Sequence, residues 1–149
     1  MSGTELPPSL ERIRQDFLDL PEPERLELLL EFSHDLPEMP TRLADHPELQ
    51  ERVAECQSPV YIVVELDDDD AVAMHATAPA TAPTTRGFAG ILVEGLRGLT
   101  AEQALSVPDD FPQSIGLTRA VSPLRIAGMT GMLARAKRQI RERLASRAS

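Results

Sequence analysis

The feature that most constrains the fold is a β-forming run at residues 60–66, Val-Tyr-Ile-Val-Val-Glu-Leu, between segments of helical periodicity. β-branched and aromatic side chains favour strands, and Val72, Met74 and Ala76 then alternate with smaller or polar residues. The acidic run 67–70 between them is too charged to bury and lacks the spaced ligands and glycine of a calcium loop. The sequence therefore predicts an antiparallel hairpin with a solvated turn and no metal site. Because a two-stranded sheet is marginally stable alone, helices must cover it.

The N-terminal third predicts two amphipathic helices separated by Pro21-Glu22-Pro23. Ser9 is predicted to cap the first helix, and Pro37 with Pro40 ends the second. Residues 41–55 are predicted to form an irregular connection with about one helical turn. The apolar residues that recur at helical spacing are Leu10, Ile13, Phe17 and Leu20 in the first helix, and Leu26, Leu29, Leu30 and Phe32 in the second.

After the hairpin, the low-complexity loop 78–85 leads to a helix predicted at about 84–96. Gly87 and Gly90 lie inside this helix, where glycine costs roughly 1 kcal/mol relative to alanine. The two glycines therefore predict a closely packed neighbour on that side of the helix. We expect this neighbour to be the sheet.

Two short helical segments and one long helix complete the chain. Thr100 and Gln103 form a capping-box pattern, and residues 111–116 predict one further turn. The last helix has the clearest start signal, with Ser122 as its cap and Pro123 in its first turn. Its apolar stripe consists of Ile126, Met129, Leu133, Ala136, Ile140 and Leu144.

These elements predict a single α+β domain over residues 1–149, with a small antiparallel sheet covered by helices, a long C-terminal helix and flexible termini at 1–8 and 145–149. A chain of 149 residues with 42% apolar residues can bury a core without disulfides. No apolar run approaches the ~18 residues that span a bilayer, and the first residues lack the pattern of a secretory signal. With a single unpaired cysteine, the chain is expected to act in the cytoplasm, away from membranes.

The net charge of −9 is unevenly distributed along the chain. Residues 1–70 contain 19 acidic and 5 basic side chains, whereas residues 123–149 contain 7 basic and 1 acidic. A basic segment can bind nucleic acid, but the acidic remainder would repel a polyanion, and an aromatic content of 3% leaves few rings for base stacking. We therefore expect no nucleic-acid partner and attribute the terminal cations to the dipole of the last helix.

Cys56 is the single cysteine of the chain. One thiol cannot close an intramolecular disulfide or complete a four-ligand zinc site. Three roles remain open: a nucleophile, a carrier of a covalently attached group, or a small buried side chain. The polar neighbours Glu55, Gln57 and Ser58 and the following Pro59 predict a loop that enters a strand. A thiol in such a loop can reach another protein.

The surroundings of Cys56 in the sequence do not favour a hydrolase. Reaction requires the thiolate, and the adjacent carboxylate of Glu55 disfavours a second negative charge. His34, His46 and His75 show no spacing that predicts a catalytic dyad with the thiol. A sulfur acceptor is chemically easier, because its partner supplies both the activated sulfur and the groups that deprotonate the incoming thiol.

Three segments resemble, in this order and at these separations, the SufE family of cysteine desulfuration proteins: ECQSPVYIV from residue 55, TTRGFAGIL from residue 84 and LTRAVSPLRIAGMTGM from residue 117. The family pattern is a Cys-x-Ser-x-Val loop before a strand, an Arg-Gly or Lys-Gly helix start, and a Ser/Thr-Pro-x-Arg-x-x-Gly start to the final helix. The segment LLLEFSHDLPEMP from residue 28 also looks like the family's second helix.

The resemblance implies a compact α+β domain similar to the IscU-type iron–sulfur scaffold. It implies acceptance of sulfane sulfur from a SufS-type cysteine desulfurase and delivery to a scaffold of the SufBCD type. The pyridoxal phosphate belongs to the desulfurase, so no cofactor is expected in this chain. The protein is then a sulfur-transfer partner and activator of the desulfurase rather than a stand-alone enzyme.

Carried over by residue, the resemblance makes Cys56 the persulfide carrier and Arg125 the basic residue near the acceptor loop. It gives supporting or partner-binding roles to the residues that share these motifs, which are Glu55, Gln57, Ser58 and Arg86. An ion pair with an N-terminal acid is the alternative role for Arg125. The chain departs from the family pattern at Glu55, where glycine is frequent, at Thr81-Ala82, and at Ala120, where histidine is frequent.

Two other functions remain open on the sequence. One is a non-catalytic helical interaction module in which Cys56 is structural. The other is a redox sensor whose thiol oxidises to sulfenic acid. For the carrier, we expect the resting thiol to lie in an apolar pocket formed by Val60, Ile62 and the glycine-containing helix from Thr84.

Overall fold

The protein is a small antiparallel sheet covered by helices. A computed structural model describes residues 6–148. The helices are α1 (Pro8–Leu18), α2 (Glu22–His34), α3 (Thr41–Ala44), α4 (Pro83–Leu96), α5 (Ala101–Leu105), α6 (Phe111–Ser114) and α7 (Pro123–Ala148). The strands are β1 (Glu51–Arg52), β2 (Tyr61–Leu66) and β3 (Val72–Thr77), and a 3-10 turn spans Pro47–Leu49. The predicted α+β class, sheet type and long C-terminal helix are confirmed.

The predicted flexible termini lie partly outside the described residues. Within the described part, Pro8 begins α1 and residues 145–148 continue α7. Among residues 6–148, no helix is both long and apolar enough to cross a membrane.

The predicted hairpin forms, and its register places one row of side chains in the core. Val64 pairs with Met74 across the two strands, Ile62 pairs with Ala76, and all four side chains are buried. The turn between the strands is ordered by Asp67, whose Oδ1 accepts the backbone N–H groups of Asp69 at 2.8 Å and Ala71 at 2.9 Å. As predicted, the acidic run is solvated rather than buried.

The third strand, β1, is not predicted by the sequence because it has only two residues and no β-forming pattern. It pairs antiparallel with β2 at Tyr61 and Ile62 and leaves the rest of that strand edge uncovered. Side chains of α7 form hydrogen bonds to the backbone along this uncovered part of β2. Gln139 accepts the Val64 N–H at 2.7 Å, and Arg143 donates to the Val64 carbonyl at 3.0 Å. Backbone groups that a longer strand would satisfy are thus satisfied by a helix.

Helix α4 is the central layer of the structure. It packs against α2, β3, α7 and α1. A Cβ at Gly87 would lie 2.4 Å from the Leu29 carbonyl oxygen, and a Cβ at Gly90 would lie 2.4 Å from that of Phe32. The expectation that these glycines pack against the sheet is therefore wrong. Their close neighbour is the backbone of α2. The sequence of α4 indicates a close neighbour but does not identify it as this helix.

The first helix also begins differently from the prediction. Pro7 occupies the N-cap position of α1, with no side-chain cap hydrogen bond. Ser9 instead donates to the carbonyl of Gly95 at 2.6 Å and so ties α1 to α4. In α2, Leu29 is buried, whereas Leu26 and Leu30 remain over a third exposed. The buried face of α2 is therefore narrower than the apolar face that the sequence predicts.

The last helix matches its prediction closely. Ser122 Oγ accepts the backbone N–H of Arg125 at 3.3 Å, as expected for a cap. The predicted stripe is buried from Ile126 to Ile140, and Leu144 is half-buried. This stripe packs α7 along β2 and α4. It fixes the position of the first turns of α7, which build the site described below.

Gly90→Ala should destabilise the protein by roughly 1–3 kcal/mol, because the new methyl group would push α2 and α4 apart. Helix propensity favours alanine over glycine by roughly 1 kcal/mol, so a measured loss of stability would reflect the close approach of α2 and α4. Urea denaturation measures the free energy of unfolding. The control is Glu94→Ala on the exposed side of α4, which should change it by less than about 0.5 kcal/mol. Equal or greater stability of Gly90→Ala would contradict this packing.

Candidate functional site

Cys56 lies in a tight loop between β1 and β2. The loop is closed by two backbone hydrogen bonds, from the Val53 N–H to the Val60 carbonyl at 2.8 Å and from the Cys56 N–H to the Val53 carbonyl at 3.0 Å. Val53 and Val60 are fully buried and anchor the base of the loop. These anchors direct the tip of the loop, with its cysteine, against the start of α7.

The thiol of Cys56 is buried against a glycine of α7. Its exposed fraction is 7%, and Sγ lies 3.7 Å from the Gly128 carbonyl oxygen as a weak donor. A Cβ at Gly128 would lie 3.0 Å from Sγ, closer than ordinary contact allows. Glycine at this position therefore lets the sulfur reach the helix backbone.

A small pocket of about 80 Å³ opens beside the thiol. Its walls come from the cysteine loop, the approach to α4 and the first turns of α7. The lining residues are Glu55, Cys56, Gln57, Ser58, Thr81, Ala82, Thr85, Leu124, Arg125 and Gly128. Val60 and Ile62, which the sequence suggests as pocket walls, are instead completely buried in the core beneath the loop. The helix from Thr84 does contribute, through Thr85.

The environment of Cys56 favours the neutral thiol. Burial, together with the carboxylate of Glu55, raises the pKa of Cys56 to about 11. Arg135 and Arg52 act in the opposite direction but do not offset the burial. This upward shift of the Cys56 pKa has the direction expected from the sequence. The resting protein therefore holds very little thiolate at neutral pH.

Glu55 is exposed, and its side chain is held by α7. Arg135 donates from Nε to Glu55 Oε1 at 2.8 Å and from a terminal nitrogen to Glu51 at 2.7 Å. The hydrogen bond from Arg135 holds the pKa of Glu55 below its usual range, so this carboxylate stays ionised beside the thiol.

Arg125 lies in the pocket wall, as the resemblance implies. Its guanidinium donates to Thr84 Oγ1 at 3.4 Å, and none of the described carboxylates lies within ion-pair distance of it. The alternative of an ion pair with an N-terminal acid is not seen among residues 6–148. The exposed Leu124 beside it adds an apolar side chain to the pocket rim.

Of the other predicted site residues, Gln57 and Ser58 line the pocket, but Arg86 does not. Arg86 donates to the carbonyls of Ser33 at 2.9 Å and Ala78 at 2.7 Å. It thus ties the end of α2 to the chain that leaves β3. Its contribution to the site is indirect, since it fixes where α4 begins.

Sequence reasoning missed the residues of α7 that receive the loop. The available signal was the helical spacing of Gly128, Gly131 and Arg135. Their partners, however, lie about 80 residues earlier in the chain. In the described part of the chain, no group of three or more His, Cys, Asp or Glu side chains is placed to hold a metal ion.

Comparison with known proteins supports the motifs and the fold. A family model for SufE, described as an Fe-S metabolism associated domain, matches residues 11–140. A SufE-like protein of Mycobacterium tuberculosis is 47% identical over 137 residues, which cover 92% of this chain and 94% of that protein. The chloroplastic/mitochondrial SufE-like protein 1 of Arabidopsis thaliana is 29% identical over 130 residues, which cover 87% of this chain and 34% of that protein.

A solved structure shares the whole architecture. The solution structure of a hypothetical protein from Thermus thermophilus superposes with a TM-score of 0.83 at 34% sequence identity. The match covers 95% of this chain and 99% of the other. The family resemblance and the α+β fold predicted from the sequence are both confirmed.

Alkylation of Cys56 by iodoacetamide should be about 100-fold slower in the native protein at pH 7 than in the urea-unfolded chain, because raising the pKa from 9.0 to about 11 lowers the thiolate fraction by that factor. From about pH 8 to 10 the native rate should keep rising about tenfold per unit, while the unfolded chain levels off near its ordinary pKa. Intact mass spectrometry of quenched samples measures both rates. A native rate that levels off with the unfolded chain would contradict the raised pKa.

Proposed function

The chain belongs to the SufE family of Fe–S metabolism associated domains, and on this basis we propose that it accepts sulfur on Cys56 and carries it as a persulfide. The observation that best supports this proposal is the position of the thiol beside a pocket of about 80 Å³ with a cation in its wall. A persulfide needs space for a second sulfur and shielding from small oxidants and thiols. The pocket is suited to both.

The proposed transfer is an exchange between a thiol and a persulfide. The Cys56 thiolate attacks the outer sulfur of a persulfide on the donor protein. The S–S bond of the donor breaks, and the donor cysteine leaves as a thiolate that takes up the proton lost by Cys56. The outer sulfur becomes the terminal sulfur of a Cys56 persulfide, with no net oxidation or reduction.

Docking with the donor must activate Cys56, because its pKa of about 11 keeps the resting thiol protonated. Drawing the loop out of its buried position would remove the main cause of this shift, and a base on the donor can then take the proton. Arg125 is suited to stabilise the negative charge on sulfur, since none of the described carboxylates pairs with it.

The partners in this proposal are a SufS-type cysteine desulfurase, which supplies sulfur with its own pyridoxal phosphate, and a scaffold of the SufBCD type, which receives it. The protein itself needs no cofactor. By removing sulfur from the desulfurase it would stimulate turnover of that enzyme. We place the reaction in the cytoplasm, without a nucleic-acid or membrane partner.

Cys56→Ser should abolish sulfur acceptance while leaving the fold and partner binding intact, because a hydroxyl keeps the shape but cannot form a persulfide. The protein is mixed with a SufS-type desulfurase and cysteine, and intact mass is measured without reductant. The parent should gain one sulfur atom and the variant none. A variant that still stimulates desulfurase turnover to the parent's level would contradict the carrier and favour an interaction module.

Arg125→Ala should slow sulfur transfer by roughly tenfold, the effect expected from losing one charge-assisted contact. Its melting temperature should change little, because the one described hydrogen bond of its side chain, to Thr84, is long and exposed. The matched control is Arg119→Ala, which removes another exposed arginine, whose guanidinium lies 3.7 Å from the Glu22 carboxylate. A large loss of stability with normal transfer would assign Arg125 a purely structural role.

A further inference from the structure

The residue before Cys56 is tied to the last helix by an ion pair that the proposed transfer does not use. Arg135 Nε donates to Glu55 Oε1 at 2.8 Å, and a terminal nitrogen lies 3.4 Å from Oε2. Both charges of this pair belong to side chains that remain partly exposed. The loop that contains the thiol is therefore held to α7 at two adjacent points, by the sulfur and by the carboxylate.

The shape of α7 matches this arrangement. A Cβ at Gly131 would lie 2.5–2.7 Å from atoms of the Glu55 carboxyl group, and a Cβ at Gly128 would lie 3.0 Å from Cys56 Sγ. Residues spaced by three and four share one face of a helix. Gly128, Gly131 and Arg135 thus form a cradle: two glycines admit the loop, and one arginine holds it.

We propose that Arg135 is a positioning residue for sulfur transfer, which holds the Cys56 loop closed through Glu55 and must release it before the thiol can leave the cradle. The biological consequence rests on the proposed function. The closure itself is a property of the free protein, so it can be tested without a partner.

Arg135 is well fixed for this role. Glu51 of β1 accepts a hydrogen bond from it at 2.7 Å, and the same carboxylate also accepts from Gln139 at 2.8 Å and from Arg138. Burial opposes ionisation of Glu51, but these hydrogen bonds outweigh it and hold its pKa below the usual range. The arginine is therefore anchored to the sheet edge and presents its remaining donors to the loop.

Removing Arg135 has two effects of opposite sign on the reactivity of Cys56. Loss of a nearby cation raises the pKa of the thiol and slows alkylation. Loss of the ion pair with Glu55 opens the loop and speeds alkylation. Because the two effects have opposite signs, the direction of the rate change in Arg135→Ala shows which one dominates. Removal of Glu55 would not distinguish them, since loss of its charge and opening of the loop both speed alkylation.

The first test measures iodoacetamide alkylation of the free protein at neutral pH and low salt. Arg135→Ala should react roughly two- to fivefold faster than the parent, the range expected for a partly exposed ion pair. Arg138→Ala is the matched control, because it removes contacts to Glu51 and Glu142 but none to Glu55. Its rate should equal that of the parent.

A second variant guards against indirect effects of the substitution. In a Glu55→Ala background the ion pair is already absent, so adding Arg135→Ala should only slow alkylation. Raising the salt concentration to about 0.5 M should speed the parent by a larger factor than Arg135→Ala, since only the parent contains the exposed ion pair that salt screens.

Hydrogen exchange followed by mass spectrometry provides a readout that does not depend on thiol chemistry. Peptides that cover residues 53–60 should exchange faster in Arg135→Ala, because the closed loop holds the Cys56 N–H in a hydrogen bond to the Val53 carbonyl, which opening of the loop would break. Peptides that cover β2 should exchange as in the parent, which excludes global unfolding.

Alkylation of Arg135→Ala at the parent's rate or slower, with unchanged exchange in the loop, would overturn the proposal. Faster exchange throughout β2 would also overturn it, because Arg135 would then stabilise the whole domain. The two proposals fail separately: sulfur acceptance without closure would refute only the positioning role, and closure without sulfur acceptance would refute only the carrier.

Discussion

The packing of α7 along the sheet and α4 is the interaction on which the rest of the structure depends. The buried stripe of this helix closes the core from Ile126 to Ile140. Because the same helix contains Gly128 and Gly131, the burial that stabilises the domain also sets how closely the Cys56 loop approaches. The fold and the site are therefore not independent, since a shift of α7 against β2 would move both.

Burial and reactivity oppose each other at Cys56. A pKa of about 11 protects the thiol in the free protein and also makes it a poor nucleophile at neutral pH. In this state the thiol has to lose its burial, the main cause of the raised pKa, before it can react readily. Glu55 reinforces the protected state, since its charge disfavours the thiolate while its ion pair with Arg135 holds the loop.

Features encoded in local sequence were predicted well. The hairpin followed from β-branched alternation, and α7 followed from its cap and its stripe. Features that depend on distant neighbours were not predicted. Two-residue β1 has no pattern of its own, and Gly87 and Gly90 indicate a close approach without naming the approaching element. At the candidate site, Cys56 was singled out as the one thiol of the chain and Arg125 through a family motif, whereas Arg135 required the three-dimensional structure because Glu55 is far away in the chain.

The outer edge of β2 is protected from pairing with a strand of another molecule. An uncovered strand edge is a template on which a strand of another molecule can add and begin aggregation. Here β1 covers only the first part of that edge, and the side chains of Gln139, Arg143 and Arg147 occupy its backbone groups further along. The long C-terminal helix thus protects this edge of the sheet against intermolecular β-pairing. A nascent chain lacks this protection until the residues of α7 have been synthesised.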